Sequence, residues 1–533
     1  MLKPGETQMK QQNTNGKLWK ILSTTVWSVL LAVELFTGIQ ICLLDMLPVK
    51  YLLIVLGLLV LVALLSCALL FRRQGKWQKK PGYAHRVIGC ILSVIAIIGC
   101  VIASYAISKV RETVNAVTEK VQITAVIDVY VPKEDAAETV ADAKDYTFAV
   151  TESFDWENTQ KTLARMGELM GSEVKTVSYP SVFAMVDALY AGEVDGLIVN
   201  SSYTELFYQF EPYEDFTDRT KLLFEHNIEE AVPVVTEPSR ETETTAATKK
   251  PQGSVAATEA TEPKKKGPRP FIMYLSGSDT RSSRLYNSCS DVNILAVVNP
   301  QTNQILLVNT PRDYYIPNPA GRGALDKLTH CGLYGVECSV VALEDLYGID
   351  IDYYSQINFT GFKTLIDAVG GVTVYSDVAF TSRGGQHFFQ KGENFLDGEK
   401  ALAFARERYM VAGGDNGRGK NQMKVIQALI NKFSAGTLLT KYADILDSIQ
   451  GMFITNMSHV KIAELVKMQI ADMPQWNVPS FAVTGDGSSG RNYSLPSMDV
   501  YIMLPHEQKV AFAGELISRV LKGEILTEAN MTP

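Results

Sequence analysis

The sequence is poor in the residues that build metal clusters and in the positive charge that holds nucleic acids. Its 533 residues include only seven cysteines and six histidines. No CxxC pair occurs and the histidines are scattered, so a zinc site is not indicated. The formal net charge of −8 gives no sign of a nucleic-acid partner. A Walker-type glycine-rich loop is also missing, so a nucleotide substrate is not indicated.

Long apolar runs, in contrast, are abundant at the start of the chain. Three of them are each long enough to cross a bilayer as a helix: Ile21–Leu44, Tyr51–Phe71 and Val87–Ser108. A signal peptide would explain only the first run. The sequence therefore predicts three N-terminal transmembrane helices within residues 21–108.

The basic residues around these runs predict their orientation. Lysines and arginines are concentrated in segments 1–20 and 72–86, whereas the 45–50 loop has one lysine. The positive-inside rule places the two basic segments in the cytoplasm. Because the number of spans is odd, we expect a multi-pass membrane protein that exports everything after Ser108.

Residues 109–230 alternate strand-like and helix-like runs, which is typical of βαβ units around a mainly parallel sheet. They predict a small extracellular α/β accessory domain. The run Asp187–Val199 resembles a segment of extracellular solute-binding domains. A ligand pocket and a spacer or protein-contact role therefore both remain open for this domain.

The composition changes twice after the accessory domain. Residues 231–268 are rich in Thr, Glu, Ala, Lys and Pro, with too few large apolar residues to form a core, and they predict a disordered linker. Strand-like and helix-like runs resume at Phe271 and predict an α/β domain with an αβα sandwich over 269–440. Residues 441–533 are expected to extend this domain and end in a tail.

Acidic and basic residues are concentrated in the α/β domain after the linker, between residues 271 and 422. Asp279 follows one predicted strand and Asp291 opens the next. Two such carboxylates are hard oxygen ligands of the kind that Mg²⁺ uses while it also holds phosphate. Arginines, which bind phosphate oxygens two at a time, recur in the same region. Together these residues indicate a site for a phosphate-rich, metal-bound substrate.

Ordered motifs in this region resemble those of the LytR-CpsA-Psr family. The match extends from about Pro268 to Phe433, and the order and spacing of its motifs make it specific. The matching segments are Gly277–Arg281, Ser290–Ile294, Thr310–Asp313, Asp326–His330, Asp367–Val372, Gly398–Leu402 and Arg406–Arg408, followed by Asp415, Arg418 and Gln422.

The resemblance implies a fold and a reaction. The family fold is an αβα sandwich whose hydrophobic cavity takes a polyprenyl tail, with Mg²⁺ and arginines at the pyrophosphate. The family reaction moves a glycopolymer from a polyprenyl-pyrophosphate carrier onto peptidoglycan and forms a phosphodiester. The implied partners are the lipid-linked glycan, peptidoglycan and the membrane.

The resemblance also assigns roles to individual residues. Asp279 and Asp291 match the magnesium-associated acids. Four arginines match the family's phosphate-binding arginines and are therefore expected to be catalytic: Arg312, Arg406, Arg408 and Arg418. Further substrate-binding positions are Arg281, Lys327 and Gln422. Asp415 either takes a proton from the attacking hydroxyl or orients Arg418.

Residue spacing gives two geometric expectations. Arg418 and Gln422 are four residues apart, so on a helix they share a face. Arg406 and Arg408 are two apart and would diverge on a continuous helix. For both to reach one phosphate group, the helix that begins at Gly398 must end near Arg406.

One position departs from the family pattern. Cys289 stands where the family usually has arginine before its Ser-Asp motif. One phosphate contact is therefore missing, or it is supplied by Arg281 or Arg284. A disulfide between Cys289 and Cys331 would brace the site, and at most one pair can form among these two and Cys338, because the exported part has three cysteines.

Two other functions remain open at this point. A pyrophosphatase would use water in place of the sugar hydroxyl and release the glycan. A non-catalytic envelope sensor or regulator would bind through residues 109–230. The residues do not specify which glycopolymer is carried, whether teichoic acid, capsule or another glycan.

Overall fold

A computed structural model describes most of the chain, namely residues 4–71, 84–118, 121–207, 210–231, 268–280, 284–383, 385–433, 444–496 and 498–532. They form two compact units. One unit comprises Met1–Asn115 and His459–Met473, and the other comprises Ala116–Ser458 and Pro474–Pro533. The predicted linker at 231–268 falls almost wholly outside the described residues.

The first unit contains the three predicted membrane helices. They are α1 (Pro4–Leu44), α2 (Val49–Phe71) and α3 (Ala84–Thr118). Each contains a segment of at least 23 residues that is long and apolar enough to cross a membrane. Apolar side chains are exposed all around these helices, for example Leu53 at 63% and Ile95 at 63%, as expected of surfaces that face lipid.

Polar contacts join the membrane helices to one another and to a later helix of the same unit. Thr37 Oγ1 of α1 lies 2.9 Å from Ser104 Oγ of α3. In the turn after α1, Asp45 forms an ion pair of 2.6 Å with Lys467 on the helix His459–Asp472. Lys50 donates to the Ala471 carbonyl of that helix at 2.5 Å.

The second unit begins with the accessory domain, a five-stranded sheet of order β3-β2-β4-β1-β5. Strands β2, β3 and β4 are parallel, because helices return the chain between them. Strand β1 pairs antiparallel with β4 and β5. The expectation of a mainly parallel sheet is therefore wrong for the part of the sheet formed by β4, β1 and β5. The elements are β1 (Val121–Pro132), β2 (Thr147–Val150), α4 (Trp156–Met170), β3 (Lys175–Ser178), α5 (Val182–Ala191), β4 (Gly196–Asn200), α6 (Thr204–Phe207), α7 (Phe216–Arg219) and β5 (Thr220–Ala231).

The C-terminal domain is organised around a six-stranded sheet of order β16-β11-β6-β7-β8-β17. Its helices and strands are β6 (Phe271–Ser278), β7 (Ser290–Asn299), β8 (Gln304–Asn309), β9 (Tyr315–Asn318), β10 (Ala324–Lys327), α8 (Leu328–Cys331), α9 (Val336–Tyr347), β11 (Tyr353–Asn358), α10 (Phe359–Ala368), β12 (Val372–Ser376), β13 (Phe380–Thr381), β14 (Phe388–Phe389), β15 (Gly392–Leu396), α11 (Gly398–Arg406), α12 (Asp415–Lys432), β16 (Phe453–Thr455), β17 (Ser480–Ala482), β18 (Gly485–Gly490), β19 (Val500–Pro505) and α14 (Glu507–Leu521). Helix α13 (His459–Asp472) follows β16 in the sequence but belongs to the first unit.

Helices cover both faces of this sheet, which makes the αβα sandwich that the sequence predicts. Alternate residues of a strand point to opposite faces. On one face, Tyr274 and Leu295 are fully buried in a cluster with α9 and α14. On the other face, Ile294 and Leu307 pack with Met423 of α12.

Three polar loops meet at one edge of the sheet. Strand β6 runs antiparallel to β7, so the end of β6 lies beside the start of β7, with Ser278 opposite Ser290. Strand β8 is antiparallel to β7, with Asn309 opposite Ile294, so its end reaches the same edge. This pairing brings together the segments that carry Asp279, Asp291 and Arg312.

Candidate active site

Two carboxylates lie side by side at this edge. Asp279 is the first residue after β6, and Asp291 is the second residue of β7. Both line a polar pocket of about 710 Å³. Gly277, two residues before Asp279, packs on Val292, and a Cβ there would come within 2.6 Å of the valine side chain. A residue without a side chain is therefore needed for the two acid-bearing strands to pair so closely.

Arg312 lies behind the acids as a buried cation. Its side chain is only 8% exposed and its guanidinium contacts the Asp291 carboxylate. Asp313 Oδ1 lies 3.8 Å from Arg312 Nε and 3.2 Å from Lys327 Nζ. Burial favours the neutral forms, but the opposite charges prevail: the pKa of Arg312 is raised, and that of Asp313 is lowered by Arg312 and Lys327. These groups form a charged network that is fixed before substrate arrives.

The segment before α8 holds Lys327 in this network. Asp326, fully buried, accepts a hydrogen bond from the Lys327 backbone N–H at 2.8 Å. Its carboxylate also lies 2.7 Å from His330 Nδ1 and accepts from Ser494 Oγ at 2.6 Å. Burial would raise the pKa of Asp326, but His330 and the hydrogen bonds lower it. Asp326 and His330 thus act as a scaffold for the lysine.

Helix α12 supplies the second buried cation. Arg418, which is 6% exposed, contacts the Asp415 carboxylate one turn earlier. Burial raises the pKa of Asp415, and Arg418 partly offsets that effect. A Cβ at Gly419 would lie 2.3 Å from the Asn309 side chain, so glycine lets α12 approach the end of β8. Arg418 and Gln422 face the same cavity, as their spacing predicts.

The expected helix end lies between Arg406 and Arg408, although the two side chains contact different aromatic rings. Helix α11 ends at Arg406. The Arg406 guanidinium lies over the Phe359 ring, 4.6 Å from its centroid. The Arg408 side chain turns instead to Tyr409, whose hydroxyl accepts from Nη2 at 2.5 Å. Both arginines are exposed and line the polar pocket.

An apolar cavity of about 260 Å³ adjoins the polar pocket. It lies between the sheet face of Leu275 and Val292 and the helices of Phe362, Leu402 and Ile426. Farther along that face, Met273, Ile294 and Leu307 belong to a packed core cluster. These three residues do not line the cavity and serve core packing.

The two cavities share three charged residues. Asp291, Arg406 and Arg418 line both the polar pocket and the apolar cavity. A molecule with an apolar tail and a polyanionic head would therefore place the junction of its two parts at these side chains.

The predicted site residues divide into three groups. Those that line the pocket or the cavity are Asp279, Asp291, Arg312, Arg406, Arg408, Arg418 and Gln422. Lys327 and Asp415 are held behind them through Asp313 and Arg418. Arg281 lies outside the described residues.

Sequence reasoning missed several polar residues of the pocket wall. Arg383, His387, Glu407 and Tyr409 all line the polar pocket. The sequence could have indicated Glu407, because it lies between the predicted site residues Arg406 and Arg408. Arg383 gave none, because it lies in the β13–β14 hairpin, whose proximity to α11 only the fold determines.

Cys289 has a structural explanation. Its side chain is fully buried in an apolar cluster with Tyr203 of the accessory domain and Leu333. An arginine there would bury its charge in this cluster. The position therefore contributes to domain packing. The Cys289–Cys331 bridge is not formed: both are free thiols, and Cys331 is hydrogen-bonded to Cys338.

The donor set at Asp279 and Asp291 is suited to Mg²⁺. Both carboxylates line the pocket together with the guanidiniums of Arg312, Arg406 and Arg418. No group of three or more His, Cys, Asp or Glu side chains that could hold a metal occurs among the described residues. Two carboxylates beside an arginine-lined pocket would nevertheless suit Mg²⁺, which takes its remaining ligands from water and substrate phosphates.

Comparison with known proteins gives the family. The family model LytR_cpsA_psr matches residues 235–509, just over half of the chain. The polyisoprenyl-teichoic acid–peptidoglycan teichoic acid transferase TagU of Bacillus cereus is 38% identical over 199 residues, which are 37% of this chain and 64% of that protein. The chain thus spans less than two thirds of that relative. The same-named protein of Halalkalibacterium halodurans is 32% identical over 253 residues, 47% of this chain and 79% of that protein.

Two solved structures are similar in sequence to about half of this chain. The crystal structure of B. subtilis TagU is 27% identical and covers 49% of this chain and 100% of that chain, with a TM-score of 0.38. A structure described as TagT bound to LI-WTA is 28% identical and covers 48% and 91%, also with a TM-score of 0.38. On the family model and the sequence relatives, the chain belongs to the LytR-CpsA-Psr family.

Proposed function

We propose that this chain is a membrane-anchored phosphotransferase that moves a glycopolymer from a polyprenyl-pyrophosphate carrier onto peptidoglycan. The observation that carries the proposal is the pair of adjoining cavities that share Asp291, Arg406 and Arg418. The apolar cavity suits a lipid tail and the arginine-lined pocket suits a pyrophosphate. The names of the sequence relatives, teichoic acid transferases, support the same reaction.

In this reaction, a hydroxyl of the acceptor sugar attacks the phosphorus that carries the glycopolymer. A phosphodiester forms, the bond from that phosphorus to the bridging oxygen breaks, and the lipid keeps the other phosphate. Negative charge builds on this leaving phosphate, so cations must already be in position. Arg312 and Arg418 meet that requirement, because their carboxylate contacts hold them before substrate binds.

The hydroxyl proton needs an acceptor, and two roles for Asp415 fit its surroundings. The raised pKa of the buried carboxyl suits a group that accepts a proton. The contact with Arg418 suits a group that orients the guanidinium. Asp415→Asn separates them, since asparagine can still accept a hydrogen bond from Arg418 but cannot take the proton.

Asp279 and Asp291 would hold Mg²⁺ in this scheme. When bound, the ion would neutralise pyrophosphate charge and polarise the phosphorus. Asp291 also contacts Arg312, so it connects the metal position to the buried cations.

The proposed orientation has the N-terminus in the cytoplasm and residues 109–533 outside. The basic segments alone favour this orientation, whereas the contacts of the first unit agree with an odd number of spans in either orientation. The α1–α2 turn and helix α13 are joined by Asp45–Lys467 and by Lys50 to the Ala471 carbonyl. A turn on the outer side and an exported α13 can form such contacts, whereas opposite sides of a membrane cannot.

The decisive experiment incubates purified full-length protein with a lipid-pyrophosphate glycan, Mg²⁺ and peptidoglycan strands. Mass analysis should find glycan joined to peptidoglycan through one phosphate, and polyprenyl monophosphate as the second product. Release of free glycan phosphate despite abundant acceptor would favour the hydrolase. Tight lipid binding with no turnover would favour the regulator.

A further inference from the structure

The accessory sheet has a crevice at the carboxyl ends of its parallel strands, where α/β sheets commonly bind ligands. The chain passes from β2 to β3 on one side and then crosses to β4 on the other, so the loops after β2 and β3 separate there. Residues of the C-terminal domain fill this crevice. The space left is about 40 Å³, against about 300 Å³ or more for a small-molecule site. The lining residues are Ser153, Phe154, Pro180–Phe183 and Tyr203 of the accessory domain, and Tyr334 and Tyr493–Pro496 of the C-terminal domain.

Leu495 anchors the C-terminal domain in the crevice. It is 2% exposed and belongs to one apolar cluster with Phe183 and Tyr203. The Phe154 ring lies edge-on to the rings of Tyr203 and Tyr334, with centroid distances of 4.5 and 5.4 Å. The two domains therefore share a core here, and the segment around Leu495 has a fixed place against the accessory domain.

Ser494, the residue before Leu495, connects this interface to a buried acid of the candidate active site. Its hydroxyl donates to Asp326 Oδ2 at 2.6 Å. The Tyr334 hydroxyl lies 3.3 Å from Ser494 Oγ. Because the single proton of the serine hydroxyl is given to Asp326, the tyrosine is the donor in the second contact. Tyr334, Ser494 and Asp326 thus form a chain of hydrogen bonds that runs from the interface towards the site.

The segment that Asp326 begins holds the main chain and the charge partner of a buried cation. Asp326 Oδ1 accepts from the Lys327 N–H at 2.8 Å. The Thr329 N–H donates to the Arg312 carbonyl at 2.8 Å. Lys327 Nζ lies 3.2 Å from Asp313 Oδ1, the carboxylate beside Arg312. A displacement of Asp326 would therefore be transmitted to Arg312.

We propose that the accessory domain positions the active site: it holds the segment of Ser494, whose hydroxyl orients Asp326 and, through it, Lys327 and Arg312. Ser494 is a positioning residue, since it lines neither the polar pocket nor the apolar cavity. The crevice is then a contact surface for the C-terminal domain of the same chain. The inference rests on the proposed function, because the rate of transfer is the quantity that the contact controls. A domain that served only as a spacer would pack on the same residues without any effect on that rate.

The first test removes the hydrogen bond from Ser494 to Asp326. Ser494→Ala should lower the kcat of transfer about tenfold, as expected for one lost hydrogen bond to a charged group, and should leave the KM for the lipid-linked donor nearly unchanged. Ser494→Thr, which keeps a hydroxyl, should recover most of the rate. A wild-type kcat in Ser494→Ala, or a loss that appears only in KM, would overturn the assignment.

The second test starts from the accessory domain. Phe154→Ala removes the ring between Tyr203 and Tyr334 and should lower kcat by a similar factor. In the double variant with Ser494→Ala, the two effects should be less than multiplicative, because both act through the same segment. Leu222→Ala, at a side chain of β5 that is 47% exposed, is the matched control and should keep the wild-type rate. A wild-type kcat in Phe154→Ala, or fully multiplicative effects in the double variant, would reduce the accessory domain to a spacer.

Hydrogen exchange separates this inference from the proposed function. If the wild-type protein transfers no glycan, the proposed function fails, and exchange of the peptides that cover residues 324–331 in the full-length protein judges the positioning by itself. Faster exchange there in both Ser494→Ala and Phe154→Ala, but not in Leu222→Ala, would sustain the inference. Unchanged exchange in both variants would refute it, and faster exchange in Ser494→Ala alone would refute the part assigned to the accessory domain.

Discussion

The arginines of this site differ in burial: Arg312 and Arg418 are buried in contact with acids, whereas Arg406 and Arg408 are exposed. Carboxylates hold Arg312 and Arg418 in place, so in the proposed reaction their orientation towards the leaving phosphate would cost little free energy on substrate binding. A guanidinium also presents two donors in one plane, which lysine cannot reproduce. Substitution by alanine therefore removes both the charge and the planar pair of donors, whereas substitution by lysine removes only the pair of donors.

Arg312→Ala should lower the rate of transfer by about 10²–10³, the usual effect of removing one transition-state donor. Arg312→Lys should recover little of that loss, because it keeps the charge and loses the two-point contact. Single-turnover rates with the lipid-linked donor check both. Arg491→Ala, at a side chain that is 70% exposed, controls for nonspecific effects, and near-wild-type rates in Arg312→Ala would remove this residue from the chemistry.

The two acids make a separate prediction about metal. Asp279→Asn and Asp291→Asn should each lower activity and raise the Mg²⁺ concentration needed for half-maximal rate, because one hard oxygen ligand becomes a neutral amide. Asp291→Asn should have the larger effect, since it also removes the negative charge that pairs with Arg312. Calorimetric titration with Mg²⁺ and substrate analogue gives a second readout. Unchanged Mg²⁺ dependence in both variants would refute the assignment.

The sequence pattern predicted the helices and strands themselves better than it predicted which strands pair. The apolar runs of the membrane helices and the strand-like runs of β6 and β7 identified those elements from local sequence. The end of α11 near Arg406 was predicted from the spacing of Arg406 and Arg408. The antiparallel pairing of β1 was not predictable in this way, because pairing depends on where the chain returns in space. The role of Cys289 was hidden for the same reason: its apolar neighbours include Tyr203, 86 positions earlier in the sequence. Arg383 joined the site only through the placement of a hairpin.

Strand β1 carries a buried acid that makes accessory-domain stability depend on pH. Burial raises the pKa of Asp128 to about 6, hydrogen bonds from Ser201 and Tyr130 oppose the rise, and Glu225 on β5 adds to it. The folded domain therefore holds a proton that the unfolded chain has already lost. Stability should fall as the pH rises from about 4 to about 6, by up to about 3 kcal/mol for a shift of this size, and should then level off.

Asp128→Asn should remove this dependence, because the amide carries no charge at any of these pH values. Hydrogen exchange of β1 peptides in the full-length protein, compared between wild type and variant at the same pH, measures the effect. The variant should be better protected than wild type at pH 7.5, with a smaller difference at pH 4.5. Equal protection at both pH values, or a difference that grows on acidification, would contradict the assignment.

The whole molecule combines three membrane-spanning helices with a site that we propose to take lipid and glycan together, so the proposed function depends on which side of the membrane the second unit occupies. Basic segments at 1–20 and 72–86 favour the cytoplasm, and three spans then export residues 109–533. The contact of Asp45 with Lys467 requires the α1–α2 turn to share a side with α13. A cysteine introduced in the 231–268 linker should therefore react with a membrane-impermeant reagent in intact cells, and one introduced in the 72–86 loop should react only after permeabilisation. The unaltered chain, labelled in parallel, gives the background from its own thiols. The reverse pattern would place the site in the cytoplasm, where peptidoglycan is absent, and the proposed transfer to peptidoglycan would fail with it.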